Sequence, residues 1–248
     1  MIQLDGPLAI HAVVLHPPAK QNWLGDARDR DLRASVAASV VELVAGLDER
    51  AIIVFPAAFL SAELGDGAFA AAEAMLSIAR HNRVALAFGV RVGKADRWAP
   101  LDTPPKTYGF VADGGRRVAW PSDEDEPVAV LRGRRLAVLF GNELFERKRT
   151  KQIASARPEA IVLVTTVGPT SRWEPALRRL RAIAPTILVG EALDQTVPGW
   201  AAAPDGWVRH DLSTTTSLTL VRYEPLVTPA TLHRAFSDVG EPASSMKD

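Results

Sequence analysis

The side chains best suited to move protons or hold a metal at neutral pH are five histidines: His11, His16, His81, His210 and His233. They are scattered, and no carboxylates gather around them at metal-ligand spacing, so no metal site is expected. The chain of 248 residues contains no cysteine, which excludes disulfides, thiolate metal sites and thiol nucleophiles together. The stretch Gly89-Val90-Arg91-Val92-Gly93-Lys94-Ala95 is one residue short of a phosphate loop and has Ala95 where a hydroxyl must meet magnesium. No Gly-x-Ser-x-Gly elbow occurs, so that serine-hydrolase chemistry is not expected either. Glu143 remains, three residues beyond the apolar run Leu136–Phe140, with Glu63 as a second carboxylate that could activate water.

Composition bounds what such groups can serve. Lys plus Arg number 29 and Asp plus Glu number 29, so net charge is zero and nothing steers the whole molecule to nucleic acid or an anionic membrane. Two basic stretches, Arg132–Arg135 and Arg147–Lys151, read as solvated hairpin and helix faces. The start lacks a basic segment followed by a long apolar one, and no run reaches the roughly 20 apolar residues of a membrane span, so a cytoplasmic protein without cofactors is expected.

The elements that must position any site follow from periodicity. Leu8–His16, Ala51–Phe55, Val84–Val92, Arg134–Phe140, Ala160–Thr166 and Thr186–Gly190 are short apolar runs that read as buried strands. Asp26–Leu47, Gly67–His81, Phe145–Ala156 and Ser171–Ala184 carry helical spacing, the last with Ser171 as N-cap and Pro185 as stop. Hairpins are predicted for Thr107–Ala112 with Arg116–Trp120 across Asp113-Gly114-Gly115, and for Val128–Leu131 with Arg134–Phe140 across Arg132-Gly133. Trp207–His210 and Ser217–Tyr223 form a last pair of strands, Thr228–Phe236 a short helix and Glu241–Asp248 a tail. Helix–strand alternation around a hairpin-rich middle implies a layered α/β sandwich, read as a single domain over residues 1–240 with a tail over 241–248.

Within this order three segments resemble the nitrilase (carbon–nitrogen hydrolase) superfamily. The first is Ile52-Ile53-Val54-Phe55-Pro56-Ala57-Ala58-Phe59-Leu60; the family's strand ends here in Pro-Glu, then an aromatic and an aliphatic, and its general base falls at Ala57. The second is Leu136–Phe145, where the family has an apolar strand, Cys, any residue, Asp or Glu, and soon Phe. Its nucleophile falls at Gly141, while Glu143 and Phe145 match. The third is Thr107–Pro121, a hairpin whose Asp113-Gly114 turn matches and whose lysine position, near Pro121, holds none. Asp26–Leu47 and Trp173–Ala182 resemble the family's first helix and the helix after the nucleophile.

The resemblance implies a four-layer α-β-β-α sandwich that pairs as a homodimer, with helices Phe145–Ala156 and Ser171–Ala184 as contact elements. It also implies a degenerate site: Ala57, Pro121 and Gly141 carry none of the family's Glu, Lys and Cys, and loss of such a constellation removes several orders of magnitude of rate. Around them Phe59, Trp120, Asn142, Glu143, Thr165 and Thr166 are expected to line what remains of the pocket. Glu143 has a structural reading, a carboxylate fixing its own loop through backbone N–H groups, and a ligand-binding one. The function expected is a catalytically inactive protein with a binding, regulatory or assembly role, acting on a protein partner or small ligand. A divergent amidase or carbamoylase using Glu143 or Glu63, and a subunit supporting an active relative in a mixed dimer, are the alternatives.

Overall fold

Six of the strands are apolar at nearly every position, a pattern suited to sheets covered on both faces, and the computed structural model shows how each face is covered. It describes residues 8–16, 27–47, 51–62, 67–92, 106–114, 116–119, 128–165, 173–191, 199–215 and 218–226. The elements are β1 (Ile10–Leu15), α1 (Ala27–Leu47), β2 (Ile52–Val54), β3 (Leu60–Ala62), α2 (Gly67–Asn82), β4 (Ala85–Val92), β5 (Lys106–Asp113) and β6 (Arg116–Ala119). There follow β7 (Ala129–Leu131), β8 (Arg134–Phe140), a 3-10 helix (Gly141–Phe145), α3 (Arg147–Ala156), β9 (Ala160–Thr165), α4 (Glu174–Arg181) and β10 (Thr186–Gly190). The chain closes with β11 (Trp200–Ala202), β12 (Trp207–Thr214) and β13 (Leu218–Pro225).

Two sheets form. The first runs β12-β13-β1-β2-β4-β5-β6, with β3 also on β4; the second runs β11-β10-β9-β8-β7. β1, β2 and β4 are parallel, as are β8, β9 and β10, and hairpin strands complete each sheet. Side chains alternate along each strand and so feed two cores at once. From β8, Leu136, Val138 and Phe140 enter the layer between the sheets, with Ile10, Val54, Ala87 and Val162 among their neighbours. Ala137 and Leu139 face the other way, under Ile153 of α3 and Leu177 and Leu180 of α4. The outer face of the first sheet is covered by Val40, Val41 and Val44 of α1 and Met75 and Ala79 of α2. The layers are therefore α-β-β-α, the expected architecture.

Several local expectations change. The segment read as the start of a helix at Phe145 is the end of a 3-10 turn, and α3 begins at Arg147. Arg149, assigned to a solvated basic face, is buried together with Ile153 one turn later. Ile153 is the only large apolar residue of α3, so its face must turn inward, and that brings Arg149 with it. Trp173, inside the predicted helix Ser171–Ala184, instead stands at the N-cap of α4 and packs in the core edge-on to Phe145, 6.3 Å between ring centroids. Arg132-Gly133 does form a tight turn with positive φ at both residues (51° and 77°), the geometry of a two-residue hairpin. The Arg132 N–H donates to Asp113 Oδ2 at 2.8 Å, linking this turn to the β5–β6 turn of the other sheet. The predicted helix Thr228–Phe236, the tail, and Trp23, Trp98 and His233 lie outside the described residues.

Candidate functional site

The parallel strands of both sheets end on the same side of the sandwich, and the residues expected to matter gather there. β2 runs out through Phe55 and Pro56 into a turn in which the Phe59 N–H donates to Pro56 O at 3.1 Å. Ala57, in this turn, is fully buried in the layer between the sheets. Arg33 of α1, itself buried, clamps the turn by donating to Ala58 O at 2.7 Å and to Phe59 O.

β4 and β5 carry a facing pair of glycines, Gly89 and Gly109, beneath this turn. A β-carbon on Gly89 would lie 1.8 Å from Ala57 O, and one on Gly109 would lie 2.0 Å from Phe140 Cδ2. Ala57 thus sits against one glycine of the pair and Phe140, one residue before Gly141, against the other. The first and second resemblance segments are thereby brought to one spot, on opposite sheets.

Gly141 opens the 3-10 helix with φ of +57°, a conformation that favours glycine. A β-carbon there would meet no heavy atom within 4 Å, so the position faces open space. Glu143 Oε2 accepts the Phe140 N–H at 2.7 Å, the loop-fixing role read from sequence. Burial holds the Glu143 carboxyl above the usual carboxylate range, against the opposing pull of that N–H and of the Arg149 charge. A carboxyl raised on folding binds its proton more tightly in the native state, so it contributes stability at low pH that is lost as pH rises from about 4.5 through the raised value. Glu143→Gln keeps an acceptor for Phe140 but cannot ionise. Its urea midpoint should therefore gain on the wild type as pH climbs from 4.5; a constant difference between the two would refute the assignment.

Thr165, at the end of β9, is buried, and its carbonyl accepts the Glu191 N–H at 3.0 Å. Glu191, just after β10, is a buried carboxylate at this end, where Glu143 is only partly buried. Sequence reading missed it, although a charge directly following a buried parallel strand stands where α/β proteins place their sites. Phe59 does not line this region: it is wholly buried on the opposite, helix-covered face of the first sheet, 4.5 Å from the Phe55 ring. Asn142 lies in the 3-10 helix, while Trp120, Pro121 and Thr166, with Glu63, fall outside the described residues. Among the described residues no three His, Cys, Asp or Glu gather as a metal site. A cleft of about 540 Å³ lies at the other end of the sandwich, lined by Arg181, Ile183, Pro185, Pro204 and Asp205, remote from Gly141.

The layers, the strand order and the meeting of Ala57 with the Phe140-Gly141 junction define a nitrilase-type sandwich. Solved structures of that fold are similar over nearly the whole chain. A cysteine-to-alanine variant of the Nesterenkonia AN1 amidase from the nitrilase superfamily superposes with a TM-score of 0.56 at 14% identity, covering 95% of this chain and 99% of that one. A second variant of the Nesterenkonia sp. AN1 amidase, carrying the acetamide moiety of fluoroacetamide on its active-site cysteine, gives 0.55 at 16% identity over the same shares of the chains, 95% and 99%. A double mutant in complex with acrylamide gives 0.54 at 15%, again over 95% and 99%. At these identities the likeness establishes the fold. No protein-family model and no curated protein matches the sequence. No helix among the described residues is long and apolar enough to cross a membrane.

Proposed function

We propose that this chain uses the nitrilase-type sandwich as a binding scaffold and does not hydrolyse carbon–nitrogen bonds by the family's thiol route. One observation carries the reading. At the place where Ala57 and Gly141 converge, neither has a side chain able to take a proton or attack a carbonyl, and no cysteine exists elsewhere in the 248 residues. The space beyond Gly141 and the carboxyl of Glu143 suit a small polar ligand or a peptide segment of a partner. The protein acts as a homodimer in this reading, and its role is regulatory or structural.

The second reading, a divergent carbon–nitrogen hydrolase, is favoured by Glu143 alone, a carboxyl whose burial raises it toward the range useful for proton transfer. The purified chain, incubated with small amides such as acrylamide and butyramide and with carbamoyl compounds, should release ammonia no faster than buffer, and Glu143→Gln should change nothing. Turnover abolished in Glu143→Gln would establish the hydrolase instead. Turnover that survives that change would overturn the non-catalytic reading and remove Glu143 from the mechanism.

A further inference from the structure

The start of α3 holds a conflict of charge. Its first turn reads Arg147-Lys148-Arg149, three cations with no acidic residue among them. A helix N-terminus already carries partial positive charge from its unpaired N–H groups, so anions are the charges that stabilise it. The N-cap residue, Glu146, is exposed and makes no side-chain hydrogen bond to the turn. Positive charge is thus gathered where negative charge belongs.

Arg149 is the member of the three that the fold takes inside. It is only 8% exposed, a position that an ionised side chain holds at a cost unless something pairs with it. Helical side chains lean toward the N-terminus, so Arg149, third in α3, reaches back past the first turn toward the 3-10 helix. Glu143 of that helix feels its charge. The two form no ion pair, and Glu143 Oε2 instead accepts the Phe140 N–H. Among the described residues Arg149 makes neither an ion pair nor a side-chain hydrogen bond. Its Nε is sealed from solvent, while the two terminal nitrogens are not, so the guanidinium opens at its tip.

Two features decide what fits that tip. The terminal nitrogens present paired N–H donors, a fork matched to the two oxygens of a carboxylate. The carboxyls of Glu143 and Glu146 stand close enough to act on each other, so a single added negative charge suits the place better than a dianion. Because only the tip is open, the occupant is a small molecule and not the broad surface of a macromolecule. The same 3-10 helix begins at Gly141, whose β-carbon position faces open space. The geometry points to an anion subsite at the junction of the 3-10 helix and α3, where Arg149 holds the carboxylate of a small ligand. This rests on the reading of the present end of the sandwich as a binding scaffold and adds the class of ligand.

The test is thermal unfolding of the full chain with acetate as the probe, sodium acetate replacing sodium chloride at constant ionic strength. The wild-type Tm should rise saturably, by about 3–6 °C at ten times the dissociation constant. Inorganic phosphate, at a pH where it is mostly dianionic, should do less. Arg149→Met keeps the buried stem without the charge, so it should fold and lose the acetate response. Arg149→Lys keeps the charge without the fork and should need about tenfold more acetate for half the shift. Arg178→Gln, on the exposed face of α4, should respond as wild type does. No saturable shift in wild type, an equal shift in Arg149→Met, or a larger shift with phosphate than with acetate would each overturn the proposal. Should Arg149→Met not fold, an Arg149→Lys titration identical to wild type would overturn it too. A missing acetate response without amide turnover removes this subsite and leaves the non-catalytic reading standing; amide turnover with the acetate response intact does the reverse.

Discussion

Gly89→Ala should cost about 3 kcal/mol or more and leave little folded protein at ambient temperature. The added carbon would stand 1.8 Å from the carbonyl oxygen of Ala57, so the obstruction is backbone, not the end of a movable side chain. That backbone cannot retreat easily. The Gly89 N–H donates to Pro56 O at 3.3 Å, the Phe55 N–H to Ala87 O at 2.8 Å, and Arg33 grips the far side of the turn. The same substitution at Gly46, inside α1, where a β-carbon meets nothing within 4 Å, should stabilise by about 0.5–1 kcal/mol through helix propensity. Urea unfolding of the two variants checks the contrast. A Gly89→Ala protein as stable as wild type would mean that the turn carrying Ala57 does not lie on this strand.

Phe140→Ala should cost about 3–4 kcal/mol, the range for emptying a buried aromatic site. Its ring lies over the backbone of Gly109, and Gly109→Ala alone should also be strongly destabilising, because the new carbon would sit 2.0 Å from the ring. Combined, the two changes should cost clearly less than their sum, since the alanine at position 109 then occupies part of the space the ring has left. A double-mutant cycle from chemical denaturation measures this. Strict additivity would show that Phe140 and Gly109 do not touch. The cycle bears on the site as well, for Phe140 immediately precedes Gly141.

Much of this arrangement is legible in the amino-acid sequence. Continuous apolar runs locate the central strands, and the Arg132-Gly133 and Asp113-Gly114 turns locate the hairpins, because those signals are local. The Ala57 and Gly141 positions follow from resemblance, and the fold brings them to one place. What escapes is either short or dependent on partners. β3 and β11 are three residues each, Leu-Ser-Ala and Trp-Ala-Ala, too brief for any period to show. Phe59 follows a sharp turn at Pro56, and counting alternation through a turn does not tell which side of the sheet the ring will take. Arg149 is within reach of sequence reasoning, since it precedes Ile153 by four residues and must share its buried face. Glu191 is visible as a charge ending an apolar run, but only the packing of β10 beside β9 shows that it is buried.

The order of strands in the first sheet has a consequence for how the molecule is made. β1 is flanked by β2, which follows it closely in sequence, and by β13, whose Tyr223 pairs with Ile10 from the far end of the chain. During synthesis at about 5–20 residues per second, roughly 8–34 s separate the emergence of these two partners. Throughout that interval one rim of β1 is an uncovered apolar strand, open to any neighbouring chain with a free edge of its own. Vectorial synthesis therefore leaves this protein most exposed to aggregation just before its last hairpin arrives, and slow codons or a truncation upstream of Leu218 would prolong that exposure where shortening beyond Leu226 would not.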